Sequence, residues 1–543
     1  MKFKLFLGSA LLTNIAVAQQ KPNIIIILAD DMGYSDLGCY GSEISTPNLN
    51  NLASKGVTAR HFYNASRSCP SRAALLTGMY PHQAGMGHMA EGLKLKPDNT
   101  PIESYQGFIP KKCPTIADLL RSAGYFTAIS GKWHVGGSPM NQGFDQGNYI
   151  PGGIGQYFAV PGDPMILKSD KGDQIYSDTT QYLTDILADN AINSIDATPI
   201  GKPFFMYMAF TAPHTPLQAP DSLVEKYMPL YKNGWNPIIE KRFEKLKKLG
   251  VISKKEKAPG KPLNYAGVDY DWNKLSTHEK WFMQRTMATY AAMIESMDTN
   301  IGRIISHLKK IGKFDNTAIF YMSDNGGTNE GHHEVYNNEI SKTPGKPGHN
   351  GGPGPWWGRV SNTPYRLYKA YSSEGGISSP FIAYYPKAFK QCNQIKNNYF
   401  HIIDIMPTCL DLAGTTYPQT FKTIATKTVF HKSMLPALLK NGNCKDTLSQ
   451  RLICWEHQGH IGVRKGKWKL TFTREFYWIN PTTLKQTNEM VKKWQLFDLE
   501  KDPFENKNII EKYPEITKQL KSEYERWADN VGVVDWDKVN IWN

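Results

Sequence analysis

The chain alternates between short unbroken apolar runs and longer stretches whose apolar positions repeat with a helical spacing. The first run, Asn23-Ile24-Ile25-Ile26-Ile27-Leu28, shows no polar alternation. A strand of that kind needs cover on both faces, as in a parallel sheet. Comparable runs lie at 125–129, 204–210, 317–322 and 381–385. Helices are predicted between several of them. Thr46-Pro47 opens one, with proline in its first turn and Gly56 just past its end, and 115–123 forms another closed by Gly124. The longest starts at Ser276, where Glu279 completes a capping box. Its stripe of Ile294, Met297, Ile301, Ile304, Ile305 and Leu308 runs on to Gly312 and reads as core. The lysine-rich stretch 232–262 reads as helical excursions on the surface. The Gly/Pro-rich segment 345–359, GKPGHNGGPGPWWGR, reads as loop.

Beyond about residue 430 the pattern changes. Short antiparallel strands are expected at 461–464, 467–472 and 494–499, and a final helix carries Ile516, Leu520, Tyr524 and Trp527 on one face. The expected organisation is a leader over 1–18, a large α/β domain over 19–430 and an α+β subdomain over 431–543. The leader has Lys2 and Lys4, an apolar run, and Ala16-Val17-Ala18 as a cleavage site. It predicts export to the periplasm or the medium. The run is too short to span a bilayer, so no transmembrane segment is expected.

At 543 residues, with 40% hydrophobic and 21% charged residues, the chain can bury a sizeable core. Its formal charge of +14 becomes +12 without Lys2 and Lys4. Such a surface suits an anionic substrate, and equally a solvated basic face. The seven cysteines (39, 69, 113, 392, 409, 444 and 454) include no C-x-x-C pair. That excludes a zinc cluster or a dense disulfide scaffold, and leaves room for one or two bridges with at least one free thiol.

Chemistry collects after the apolar runs. The first ends in Asp30-Asp31, the second in Gly131-Lys132-Trp133-His134, the third in Thr211-Ala212-Pro213-His214 and the fourth in Asp324-Asn325-Gly326-Gly327. Ligands of open α/β sheets sit at the carboxyl ends of strands, so these residues are expected to converge. Asp30, Asp31, Asp324 and Asn325 form a hard-cation set suited to Ca²⁺ or Mg²⁺. Ser68-Cys69-Pro70-Ser71-Arg72 places Ser68 just ahead of a helix N-terminus, where an anion is favoured and Arg72 can reach back to it. Ser68 is there either a nucleophile or a helix cap. Trp356 and Trp357 could stack on a sugar or aryl ring, or anchor their loop.

S-x-P-S-R followed by Leu76-Thr77-Gly78 resembles the signature of the type I sulfatases of the alkaline phosphatase superfamily. The resemblance extends through ILADDMGYSDLGCYG, GKWHVGG, FTAPHTPLQAP, FYMSDNGG, RLYKAYSSEGG and WQLFDLEKDPFEN, which is nearly the whole chain, and is nearest to bacterial arylsulfatases. It implies an alkaline-phosphatase-like α/β/α sandwich of three layers with a smaller C-terminal α+β subdomain. It implies hydrolysis of sulfate esters, of carbohydrates first and of aryl sulfates as well. Ser68 would be oxidised to formylglycine, and as a Ser rather than a Cys it would need a separate radical-type maturase. One Ca²⁺ per chain would be held by Asp30, Asp31, Asp324, Asn325 and the Ser68-derived oxygen. Arg72 would polarise the nucleophile, and Lys132 and Lys369 would neutralise sulfate oxygens. His214 would be the general acid and His134 the base that expels sulfate. Ser378 stands where relatives often carry Arg. The competing expectations are a phosphatase or phosphonate monoester hydrolase of the same superfamily, and a non-catalytic sulfated-glycan-binding protein. A nucleic-acid partner is not expected.

Overall fold

The computed structural model describes residues 20–91, 100–153, 155–258, 271–331, 343–389, 394–427, 432–439, 450–474 and 492–539. The predicted leader lies outside them, as do Cys392 and Cys444.

Ten strands form the main sheet. In chain order they are β1 (Asn23–Ala29), β2 (Val57–Tyr63), β3 (Phe126–Lys132), β4 (Gln146–Ile150), β5 (Met165–Ser169), β6 (Gln174–Tyr176), β7 (Phe204–Ala209), β8 (Thr317–Ser323), β9 (Phe381–Tyr384) and β10 (Gln394–His401). Their spatial order is β10-β2-β9-β8-β1-β7-β3-β4-β5-β6. The block β8-β1-β7-β3-β4 is parallel throughout. β9 runs antiparallel to both β2 and β8, and β5 and β6 continue the far edge antiparallel. Every residue of β1, β7 and β8 is buried, as their unbroken apolar composition requires.

Alternation along β1 divides the core. Ile25, Ile27 and Ala29 pack on one face with the helices Pro47–Lys55, Leu183–Asp196 and Thr277–Lys310. Ile24, Ile26 and Leu28 pack on the other with Ser68–Thr77, Ile116–Ser122 and Ile405–Ala413. The result is a three-layer α/β/α sandwich. The predicted caps are in place. Ser276 and Glu279 form a reciprocal capping box on the 34-residue helix, and Thr115 caps the helix before β3.

A hairpin of β11 (Thr420–Phe421) and β12 (Ile424–Ala425) leads to a separate antiparallel sheet. This sheet holds β13 (Leu452–His457), β14 (His460–Lys465), β15 (Trp468–Thr473) and β16 (Lys493–Asp498), in that order. The closing helix, Pro514–Val531, lays Leu520 and Trp527 into the core with Ile516 and Tyr524 half-buried beside them.

Two expectations need correcting. Part of the Gly/Pro-rich segment is a helix, Gly354–Asn362. The lysine-rich stretch forms the helix Trp235–Lys248, but its Arg242 is wholly buried against Asp36 and Glu43. Its last residues, 259–262, lie outside the described ones. Trp357 is an anchor: fully buried, it donates its indole N–H to Met283 O at 2.8 Å, while Trp356 stacks on Trp235. The five described cysteines are all free thiols.

Candidate active site

Strand register builds the site. Ala29 of β1 pairs with Ser323 of β8, so Asp30 and Asp324 leave the sheet side by side. Ala209 of β7 pairs with Leu28 and with Gly131, which brings the segments carrying His214 and Lys132 to the same edge. The fourth run supplies Asn325, and the segment after the helix Gly354–Asn362 supplies Lys369, whose backbone N–H bonds Gly327 O.

Ser68 opens the helix Ser68–Thr77 and is buried. Its Oγ lies 3.2 Å from Asp30 Oδ1 and 3.3 Å from Asn325 Oδ1. Asn325 donates its amide N–H to Asp31 Oδ1 at 2.7 Å, which turns its carbonyl oxygen toward Ser68. A hydroxyl has one proton to give, so one of these two contacts brings oxygen lone pairs together. Excess acceptors converging in a dry site are what a hard cation relieves. Asp30, Asp31, Asp324, Asn325 and Ser68 therefore form a candidate metal site.

The surrounding cations are specific. Arg72 donates from Nε and Nη2 to Asp324 Oδ2, at 3.2 and 2.9 Å, and from Nη1 to the Lys132 carbonyl. Lys132 Nζ is 2.6 Å from Asp30 Oδ2. Lys369 Nζ reaches Asp31 Oδ2 at 2.8 Å and His214 Nε2 at 3.3 Å. Burial would raise Asp30, but Lys132, then His214 and Arg72, hold its carboxyl well below the usual range. Burial, then the Asp30 carboxylate, push Asp324 up to about 7. Burial acts first on Asp324 and repulsion from Asp30 adds to it, and the neighbouring guanidinium and ammonium groups do not fully cancel the two. Burial lowers Lys369, yet Asp31 and Glu330 outweigh it and keep the ammonium charged.

His214 is tied through Nδ1 to the Thr215 carbonyl at 2.6 Å, and burial lowers its affinity for a proton. His134 stands apart from the oxygen cluster, two residues past Lys132, with Nε2 2.6 Å from Glu91 Oε1. Asp31 and His134 both adopt left-handed backbone, at φ 64° and 54°. Non-glycine residues hold such conformations where the surrounding fold imposes them, often at functional sites.

Nine of the ten predicted residues thus meet in one contact network, with His134 at its margin. Two acids escaped the sequence reading. Glu330 lies 3.1 Å from Lys369 and 3.8 Å from Arg67, and Glu91 pairs with His134. Neither belongs to a motif.

A hydroxyl at a helix N-terminus, an acidic oxygen cluster behind it and three cations around it are the equipment of an anion-cleaving hydrolase, gathered at the carboxyl ends of the central strands. The chain belongs to the sulfatase family, whose profile matches residues 22–415, and it is a sulfatase that acts on sulfate esters. A second profile, for the C-terminal part of N-sulphoglucosamine sulphohydrolase, matches residues 366–530. The chain is 33% identical to an uncharacterised sulfatase of Schizosaccharomyces pombe, over 95% of both chains. It is 33% identical to an arylsulfatase of Klebsiella aerogenes, over 74% of this chain and 88% of the relative. Among solved structures, Ps i-CgsB in complex with k-i-k-neocarrahexaose superposes with a TM-score of 0.64 at 27% identity, over 94% of this chain and 93% of that one. Among the described residues, no helix is long and apolar enough to cross a membrane.

Proposed function

We propose that the protein releases sulfate from sulfated carbohydrates, with aryl sulfates also accepted, using a formylglycine made from Ser68. The observation that carries this reading is the buried Ser68 hydroxyl at a helix N-terminus, facing the acceptor oxygens of Asp30 and Asn325. One Ca²⁺ suits Asp30, Asp31, Asp324, Asn325 and the residue-68 oxygen, and when bound it supplies positive charge that polarises the nucleophile and the ester. Asp30, Asp31 and Asp324 are already opposed by Arg72, Lys132 and Lys369. A divalent ion added to that balance leaves the site net positive, the sign that a sulfate ester needs.

The side chains then divide the work. Arg72 holds the residue-68 oxygen and its acid partners in place, and Lys132 and Lys369 offset charge on the sulfate oxygens as it develops. His214 gives its Nδ1–H to the Thr215 carbonyl, so Nε2 is the atom that takes a proton, from the neighbouring Lys369 ammonium, and passes it to the departing alcohol oxygen. His134 removes a proton from the second hydroxyl of the hydrated aldehyde, so that sulfate leaves and the aldehyde returns. An unoxidised serine has no second hydroxyl, and its sulfate ester would persist. The leader over 1–18 supports action outside the cytoplasm, after a maturase has oxidised Ser68.

The test starts from protein co-expressed with a serine-type maturase. Peptide mass spectrometry over Ser68 should show the two-hydrogen loss of oxidation, and that protein should turn over aryl sulfate and then members of a sulfated-sugar panel. Faster release of phosphate than of sulfate from matched aryl esters would move the protein to the phosphatase reading. Oxidised protein that binds sulfated sugars without turnover would end the enzymatic one.

A further inference from the structure

Glu91, His134 and Cys69 place a carboxylate oxygen, a ring nitrogen and a sulfur within 4.8 Å of one another, beside the nucleophile helix. Such a trio is either a soft-metal triad or a hydrogen-bonded acid–imidazole pair with a thiol alongside. Cys69 decides between them. Its sulfur is turned to the backbone and accepts the Ala90 N–H at 3.4 Å, whereas His134 Nε2 and Glu91 Oε1 meet directly at 2.6 Å, so the working unit is the pair.

A neutral imidazole offers one N–H and one lone pair. Glu91 is held ionised, at about 2, chiefly by its hydrogen bond with His134. A carboxylate at Nε2 accepts the ring proton there and leaves the lone pair on Nδ1. Nδ1 is buried with no hydrogen-bond partner. The backbone adds a second constraint, because His134 is left-handed and its N–H bonds the Pro151 carbonyl at 3.1 Å. The ring is fixed at both ends, with one unsatisfied acceptor inside the protein.

We propose that Glu91 is a positioning residue that locks the tautomer and orientation of His134, making Nδ1 the base of the second half-reaction. This rests on the role given to His134 in the function proposed above. In that step Nδ1 takes the proton of the remaining hydroxyl. The freed electron pair becomes the second carbon–oxygen bond of the aldehyde, and the carbon–oxygen bond to sulfate breaks, its electrons leaving on sulfate. No group is oxidised or reduced.

The experiment uses matured full-length protein, an aryl sulfate and rapid mixing. In Glu91→Ala, one equivalent of phenol should appear at the normal rate, followed by turnover about a hundredfold slower, the low end of a lost base. Quenched samples should carry sulfate on the residue-68 peptide. Because the Glu91 side chain is 62% exposed, added formate should enter the gap and restore the slow phase. His134→Ala should show the same burst, and Glu91→Ala should add nothing on top of it. Unchanged steady-state turnover in Glu91→Ala, or a loss with neither burst nor formate rescue, overturns the inference while a burst in His134→Ala keeps the parent reading. A His134→Ala variant slowed in the first turnover overturns the parent reading itself.

Discussion

Two clusters of buried charge sit within one protein and resolve their charge differently. Around Ser68, oxygens crowd together: Asp30 and Asn325 both face one hydroxyl, and Asp324 is pushed toward neutrality by burial and then by the Asp30 carboxylate. Around Glu374, where the main sheet meets the C-terminal sheet, both carboxylate oxygens of that residue meet donors. Lys469 of β15 reaches Glu374 Oε1 at 2.8 Å, while Tyr63 and Ser378 donate to Oε2 at 3.1 and 3.2 Å. Glu505 accepts the Glu374 backbone N–H and lies beside Arg366. Burial of charge is therefore no sign of a site by itself. The sign is an imbalance that only something from outside can settle.

The comparison can be broken at either cluster. Ser68→Ala should remove turnover almost wholly, a loss on the order of 10⁶-fold, while circular dichroism and melting temperature stay near those of the parent. Retained activity would refute the nucleophile. Replacing His214 by Ala should slow alkyl sulfates by about 10²–10⁴-fold and activated aryl sulfates far less. An equal loss on both would remove His214 as the acid. Lys469→Met leaves Glu374 charged and short of its cation, and should cost about 3–5 kcal/mol in denaturant unfolding. The molecules that remain folded should keep their KM. Normal stability with lost activity would reverse the assignment of the two clusters. Last, stripping divalent ions should lower stability by about 2.7 kcal/mol relative to Ca²⁺ at a hundred times its Kd. A melting curve indifferent to Ca²⁺ would remove the ion from the oxygen cluster.

Asp30, Asp31, Lys132, His134, His214, Asp324 and Asn325 were legible in the chain because each ends or follows a strand with a strong signature, and parallel register brings such ends together. Ser68 and Arg72 were legible from a helix start, and Lys369 only from the family resemblance. β10 was not legible. Its sequence, QIKNNYFH, is polar, yet Lys396 and Asn398 are buried. Its strand character comes from pairing with β2 at the sheet edge. The helix Gly354–Asn362 was misread because its glycines look like loop residues. A side chain at Gly358 would come within 2.2 Å of the Thr328 carbonyl, so glycine is there for close packing. Glu91 and Glu330 carried no local signal at all, since each meets its basic partner only through the tertiary fold. Ser378, out of pattern as a sequence position, is explained by its donation to Glu374.

The helix that presents Ser68 has no residue open to solvent along its ten positions. A second enzyme cannot reach into such a place on the folded chain. The oxidation of Ser68 proposed above would therefore have to precede folding, and a molecule that folded first would stay unprocessed. Under that proposal, biogenesis is a race between modification and collapse.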